Sequence, residues 1–223
     1  PQNLAARWEE LTALPVVTQS ALLIGALLIL AASDRLGGAF SLPVLRFLEG
    51  YWPGPLRRLA AWKANRRRAR VQKSRYRWNE LMQKRENAPL TWQEARKLAR
   101  LEGERRYTPR DLNDVMPTRF GDVLRAAETR PRQRYGLDPV LLWPHLWLSL
   151  PDNARQDLTA ARATLDRLAE AWLWGLLFTL WSIVWPWAWV IALAWMWLVY
   201  ELLVQAARPF ADLILAAFDG HRW

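Results

Sequence analysis

The stretch that most constrains this chain is Ala171–Tyr200 (AWLWGLLFTLWSIVWPWAWVIALAWMWLVY), which carries no charged side chain. With its flanks, Leu168–Val204, it would be about 54 Å long as one helix, nearly twice the ~30 Å of a bilayer hydrocarbon core. Tilt does not absorb that excess. A hairpin turning at Trp185-Pro186-Trp187 gives two arms of about eighteen residues, or ~27 Å each. The turn offers no Gly, Asn or Asp, and a Pro can kink a membrane helix without ending it. The hairpin is the better reading, and a single span stays open.

A second uncharged run, Leu14–Ala32 (LPVVTQSALLIGALLILAA), would span about 28 Å as a helix. Glu9 and Glu10 precede it against a single Arg7. That is the wrong balance for the basic start of a cleaved signal peptide, so it reads as a transmembrane helix. Between the apolar runs the composition inverts. From Arg57 to Arg77 lie ten basic residues and no acid: Arg57, Arg58, Lys63, Arg66, Arg67, Arg68, Arg70, Lys73, Arg75 and Arg77. With a net charge of +10, the chain reads as a membrane protein with a basic soluble insert. The basic block should stay in the cytoplasm.

Within the insert, Ser41–Glu49 reads as a short amphipathic helix at the headgroups, with Tyr51 and Trp52 as interface anchors. Leu56 to about Arg85 contains no helix breaker and only a thin apolar stripe, which predicts a basic rod that is solvated or faces a partner. Thr91-Trp92-Gln93-Glu94 is a capping box opening a helix to about Arg106. Thr118 caps a further helix over Arg119–Glu128, Gly136 suits a left-handed position, and Asp138-Pro139 begins another. Val140–Leu150, apolar almost all round, is too short to span and is expected in the soluble core or in the interface. The next helix, capped near Asp152, runs without a break toward the membrane.

Six of the sixteen tryptophans fall in Leu180–Trp197. Tryptophan prefers membrane interfaces, where its ring is buried and its N–H stays wet. The hairpin places Trp185, Trp187 and Trp189 in an outer belt at the turn and Trp172 and Trp174 in a cytoplasmic belt. Trp181, Trp195 and Trp197 fall deeper, where they are expected to face packing partners or a ligand.

Catalytic signals are missing. The two histidines, His145 and His221, sit in different segments, and the absence of cysteine removes thiolate chemistry. A packing role is expected for His145. Glu201, the one acid in the predicted spans, reads as snorkelling at a span end. No phosphate loop, nucleophile elbow or paired carboxylate appears. The chain therefore reads as no enzyme, with no catalytic residues, metal or cofactor, though a bound lipid fits the apolar surface.

The segment Met116–Asp166 carries MPTRFGDVLRAAE, RYGLD and LWPHLWLSLP. It resembles a family of uncharacterised bacterial membrane proteins with a pattern like PTRLGN.LRAAE, RYGLD and LWPRLWPLLP. LRFLEGYW and AAFDGHRW also look like pieces of that family, so the likeness covers most of the chain. Asp122 stands where the pattern has Asn, and His145 where it has Arg. The resemblance implies a multi-span membrane protein of no established activity, and a native chain continuing beyond Trp223.

The expected architecture is an all-α integral membrane protein with about three transmembrane helices and a small helical cytoplasmic domain between the first and second. Its parts are an N-terminal segment 1–13, a transmembrane helix 14–32, an interfacial segment 33–55, a basic helical domain 56–167, a Trp-rich transmembrane hairpin 168–204 and an interfacial or cytoplasmic C-terminal helix 205–223. The expected function is a scaffold or accessory subunit of an assembly in the bacterial cytoplasmic membrane. It would contact lipids and other subunits, or its own copies, through the basic helix and the Trp-rich spans. The alternative is a protein that binds lipid, pigment or a quinone-like molecule in a pocket made by the tryptophans and Val140–Leu150. Membrane-tethered nucleic-acid binding ranks last.

Overall fold

The computed structural model describes residues 40–136, 138–180 and 187–220, without the side chain of Val140. The chain divides into two units, Pro1–Phe40 and Ser41–Trp223. Apart from Phe40, every described residue belongs to the second. The expected transmembrane helix 14–32, the segments 1–13 and 33–39, Trp181, Trp185, Pro186 and His221 lie outside the described residues.

The described residues are all-helical, with no strand. The helices are α1 (residues 40–49), α2 (Arg57–Asn87), α3 (Trp92–Arg106), α4 (Arg119–Tyr135), α5 (Pro139–Ser149), α6 (Asp152–Phe178) and α7 (Ala188–Gly220). Local chemistry sets most of their ends. Ala88, before Pro89, is extended at φ −157° and ψ 152° and stops α2. Thr91 and Glu94 form the reciprocal capping box of α3. Lys84 and Thr91 hold the Glu94 carboxyl down to about 2. Thr118 caps α4, and Gly136 at φ 68° supplies its left-handed end. At α6 the expected side-chain cap is absent, and Pro151 occupies the position instead.

α6 and α7 form an antiparallel pair. Leu165 and Ala169 of α6 share a core with Leu203, Val204 and Ala207 of α7, Leu158 meets Ala217 and Phe218, and Gly175 faces Trp195. The two helices thus run in opposite directions, as the hairpin reading expects. Both helices run through the expected domain boundaries at 168 and 205 without interruption, because neither place holds a breaking sequence. Among the described residues one helix, α7, is long and apolar enough to cross a membrane. α6 carries charges up to Glu170, which leaves only ten described residues, 171–180, in an uncharged run.

α4 lies along the second half of α7, and three rungs fix α7 to α4 and to the end of α3. Arg119 pairs with Glu201, Arg106 and Tyr107 hold Asp212, and Arg134 with Tyr135 holds Asp219. The Tyr200 hydroxyl accepts from the Arg119 backbone N–H at 3.1 Å and so caps the start of α4. Every carboxylate of α7 is thereby docked on an arginine of the helical head, α1 to α5. Glu201 is held by Arg119, which replaces the expected snorkelling.

α1 was expected at the headgroups. Instead Val44, Leu45 and Leu48 pack beside Phe120, Val123 and Leu203 in the head's core, and burying that face offers more than a shallow interface does. The approach is close at two glycines. Gly50, at φ 111°, has no room for a Cβ, which would sit 2.8 Å from Pro117 Cδ. A Cβ on Gly121 would overlap the Glu49 carbonyl oxygen, which accepts from Thr118 Oγ1 at 2.8 Å.

Candidate functional site

Two surfaces carry the chemistry that the sequence singles out: the free end of the α6–α7 pair and the basic helix α2.

At the α6–α7 end, large apolar side chains face outward from Trp174 to Leu180 and from Trp187 to Leu202, interrupted on α7 only by the side facing its partner. Beyond Leu202 the same helix is clasped by the head, and Leu203, Val204 and Ala207 are buried. The outward apolar part of α7, residues 188–202, is about 21 Å long.

The expected tryptophan sites separate on this frame. Trp174, Trp187 and Trp189 are exposed. Trp172 is not a belt residue. It packs against the head's core with its ring 6.1 Å from Phe47, because α1 covers that part of α6. Trp195 donates its indole N–H to the Ala171 carbonyl at 2.9 Å and rests in the notch left by Gly175. A deep tryptophan with an internal acceptor needs no interface for its N–H. Trp197, 65% exposed, has no such seat.

The ten basic residues of Arg57–Arg77 also divide. Arg67, Arg68 and Arg75 point into the protein, so the expected solvated or partner-facing rod does not hold at these three. Arg67 pairs with Asp122, Arg68 donates to the Asn113 carbonyl at 3.2 Å, and Arg75 donates to the Pro109 carbonyl at 2.6 Å. These contacts replace the apolar stripe that α2 lacks, since only Ala64 and Leu81 are buried along it. Lys63 sits over the Trp52 ring at 5.0 Å, and Trp52 stacks on Phe47 rather than anchoring in an interface. Arg57, Arg58, Arg66, Arg70, Lys73 and Arg77 are exposed. The spacing of Arg66, Arg70, Lys73 and Arg77 places those four on one helical face, beside the exposed Trp62 and Tyr76.

Asp122 is the most buried charge among the described residues, at 2% exposed. Its Oδ2 accepts from Arg67 Nε at 3.0 Å, and its Oδ1 accepts from the Met116 N–H at 2.7 Å. Burial nevertheless pushes its carboxyl above the usual range, against the pull of Arg67 and the hydrogen bonds. The pair fastens α2 to α4 and is a structural junction.

The segment around Val140–Leu150 forms α5, with Leu146 and Leu150 packed on Leu158 and Phe218. His145 is exposed, so the expected packing role does not hold. Ala217 lies about 30 Å along α7 from Trp197, so α5 and the exposed tryptophans line no common pocket among the described residues. No group of three or more His, Cys, Asp or Glu among the described residues converges to hold a metal.

The sequence reading missed a third group, the arginines at 100, 105, 106, 110, 130 and 208, which the fold gathers beside α2. A signal existed in the local strings RRYTPR and TRPRQR, but no sequence rule joins them to α2. No family model, no curated protein and no solved structure matches the chain.

Proposed function

We propose that this chain is a membrane-anchored scaffold or accessory subunit, in which the α6–α7 hairpin enters the bilayer and the helical head is the docking domain. The observation that carries the reading is the abrupt change at Leu202. On one side large apolar residues face outward around the hairpin, and on the other the same helices are covered by a charged head. A soluble protein has no use for an exposed apolar surface of that extent. In a bilayer the outward band of α7, about 21 Å, covers most of the thickness of the hydrocarbon core. Modest local thinning covers the shortfall.

The exposed stripe Arg66, Arg70, Lys73 and Arg77 suits anionic headgroups or an acidic face on a subunit, at about 1 kcal/mol per basic residue near an anionic surface. By the positive-inside tendency the head faces the cytoplasm of a bacterial cell, with Leu14–Ala32 as a first span and the hairpin as two more.

Single cysteines at residues 3 and 220 test this topology by impermeant labelling of intact cells. Opposite-side labelling is expected, and same-side labelling refutes three spans. Mass measurement after purification in mild detergent tests the subunit reading. A lone monomer without associated protein rejects it.

A further inference from the structure

A groove of about 1250 Å³ runs between α2, α3, the 107–110 loop, α4 and α7. Ten arginines line it against three carboxylates, Glu102, Glu104 and Asp122. Two of those carboxylates are already engaged, Glu104 by Arg100 and Asp122 by Arg67. Arg75, Arg105, Arg110, Arg130 and Arg208 have no carboxylate within ion-pair distance among the described residues. Several are instead oriented by neutral groups. Arg75 donates to the Pro109 carbonyl and Arg130 to the carbonyls of Arg105 and Arg106. The Arg105 guanidinium lies 3.9 Å from the centre of the Trp78 ring, and that of Arg208 lies 5.3 Å from the Tyr107 ring. Arg130 Nε is buried without a hydrogen-bond acceptor.

Carbonyls and aromatic faces fix guanidinium groups without neutralising them. The remaining charge is mutually repulsive. Burial lowers the proton affinity of Arg75, with Arg105 adding to the effect and Asp111 opposing it, and lowers that of Arg130, with Arg110 and Arg106 adding and Asp212 opposing; the net direction is downward for both. A fold that holds several unneutralised guanidinium forks around one groove is pre-organised for a planar or tetrahedral oxyanion.

We propose that this groove is a binding site for a multiply charged phosphate group, held by Arg75, Arg105, Arg110, Arg130 and Arg208. Phosphate oxygens match guanidinium geometry two at a time, and a ligand of several charges suits several forks. The same chemistry has two sources, a free polyphosphate and the headgroup of an anionic lipid. The second is within reach because Val204 and Arg208 of the groove lie about 3 and 9 Å along α7 from Leu202. The site itself does not depend on membrane insertion of the hairpin.

The test is calorimetric titration of the full chain in neutral detergent. One arm uses sodium tripolyphosphate, and the other uses mixed micelles carrying phosphatidylglycerol, with phosphatidylcholine as the reference. Saturable one-to-one binding is expected in at least one arm. Binding in the first identifies a free anion, and binding in the second over phosphatidylcholine identifies a headgroup. Arg75→Gln with Arg130→Gln should weaken it at least about tenfold, since each removes a charge-assisted contact. Arg110→Gln, at an exposed position, should weaken it severalfold without disturbing the helical circular dichroism. Arg85→Gln with Lys97→Gln, exposed and outside both the groove and the α2 stripe, should change the Kd by less than about twofold. No saturable binding in either arm overturns the proposal. So does equal weakening by that distant pair, which would mean diffuse attraction to net charge.

Discussion

Replacing Arg67 by Met should expose how the head is held together. In the native fold the Asp122 carboxylate, 2% exposed, receives the Arg67 guanidinium and one backbone N–H. The variant keeps most of the apolar stem and leaves a buried carboxylate with the Met116 N–H alone. Breaking one side of a buried pair costs about 3–5 kcal/mol. For a chain of this size, at about 2–4 °C per kcal/mol, the Tm should fall by roughly 6–20 °C at neutral pH.

The same variant carries a pH signature. The Asp122 carboxyl already sits above its unfolded value, by burial. Its contribution to stability is therefore fully present below the unfolded pKa and is lost as pH rises through the folded one. Without Arg67 the folded value moves further up, so the loss deepens and extends toward neutral pH. The difference between variant and wild type should be small near about pH 4 and large near about pH 8. Thermal melts in neutral detergent, followed by circular dichroism at both pH values, measure it. A Tm drop below about 2 °C at the higher pH, or a drop independent of pH, would refute the junction. Asp122→Asn keeps the N–H acceptor and removes the buried charge, so it should cost less than Arg67→Met at neutral pH.

Gly175→Ala puts a Cβ 2.6 Å from Trp195 Cδ1; it should push the indole off the Ala171 carbonyl, cost about 1–3 kcal/mol and shift tryptophan emission, whereas an unchanged spectrum would mean that the notch is not tight. Gly50→Ala combines a left-handed φ with contact on Pro117 and should destabilise by more than about 1 kcal/mol; a neutral effect in denaturant melts would refute the close seating of α1 on the loop before α4. Thr91→Ala should cost about 1 kcal/mol and raise amide exchange in the first turn of α3 alone. The Glu94 carboxylate, held down to about 2, contributes stability that is present above its unfolded value and lost as pH falls toward 2; carboxyl NMR should find it ionised at about pH 3, where a free glutamate is protonated.

The sequence by itself determined the all-helical class and the starts of α3 and α4, and it favoured a return of the Trp-rich segment while leaving a single span open; it ended α4 at Glu128, whereas the helix continues through Pro131 to Tyr135. The features it determined depend on neighbours within one turn, as in Thr91 with Glu94 or Thr118 with Gly121. Only the tertiary structure decided which residues face which. Arg67, Arg68 and Arg75 look like any other member of a basic run until Asp122, Asn113 and Pro109 are brought against them. Trp172 looks like an interface residue until α1 packs against it, and nothing local assigns Trp195, still half-exposed, the Ala171 carbonyl and the Gly175 notch that meet its indole. The arginine groove collects side chains from α2, α3, α4 and α7, and no local pattern in the sequence encodes that meeting. The physical reason is range. Capping and hydrophobic length act along the chain, whereas pairing a buried charge or seating a ring requires contacts between segments tens of residues apart.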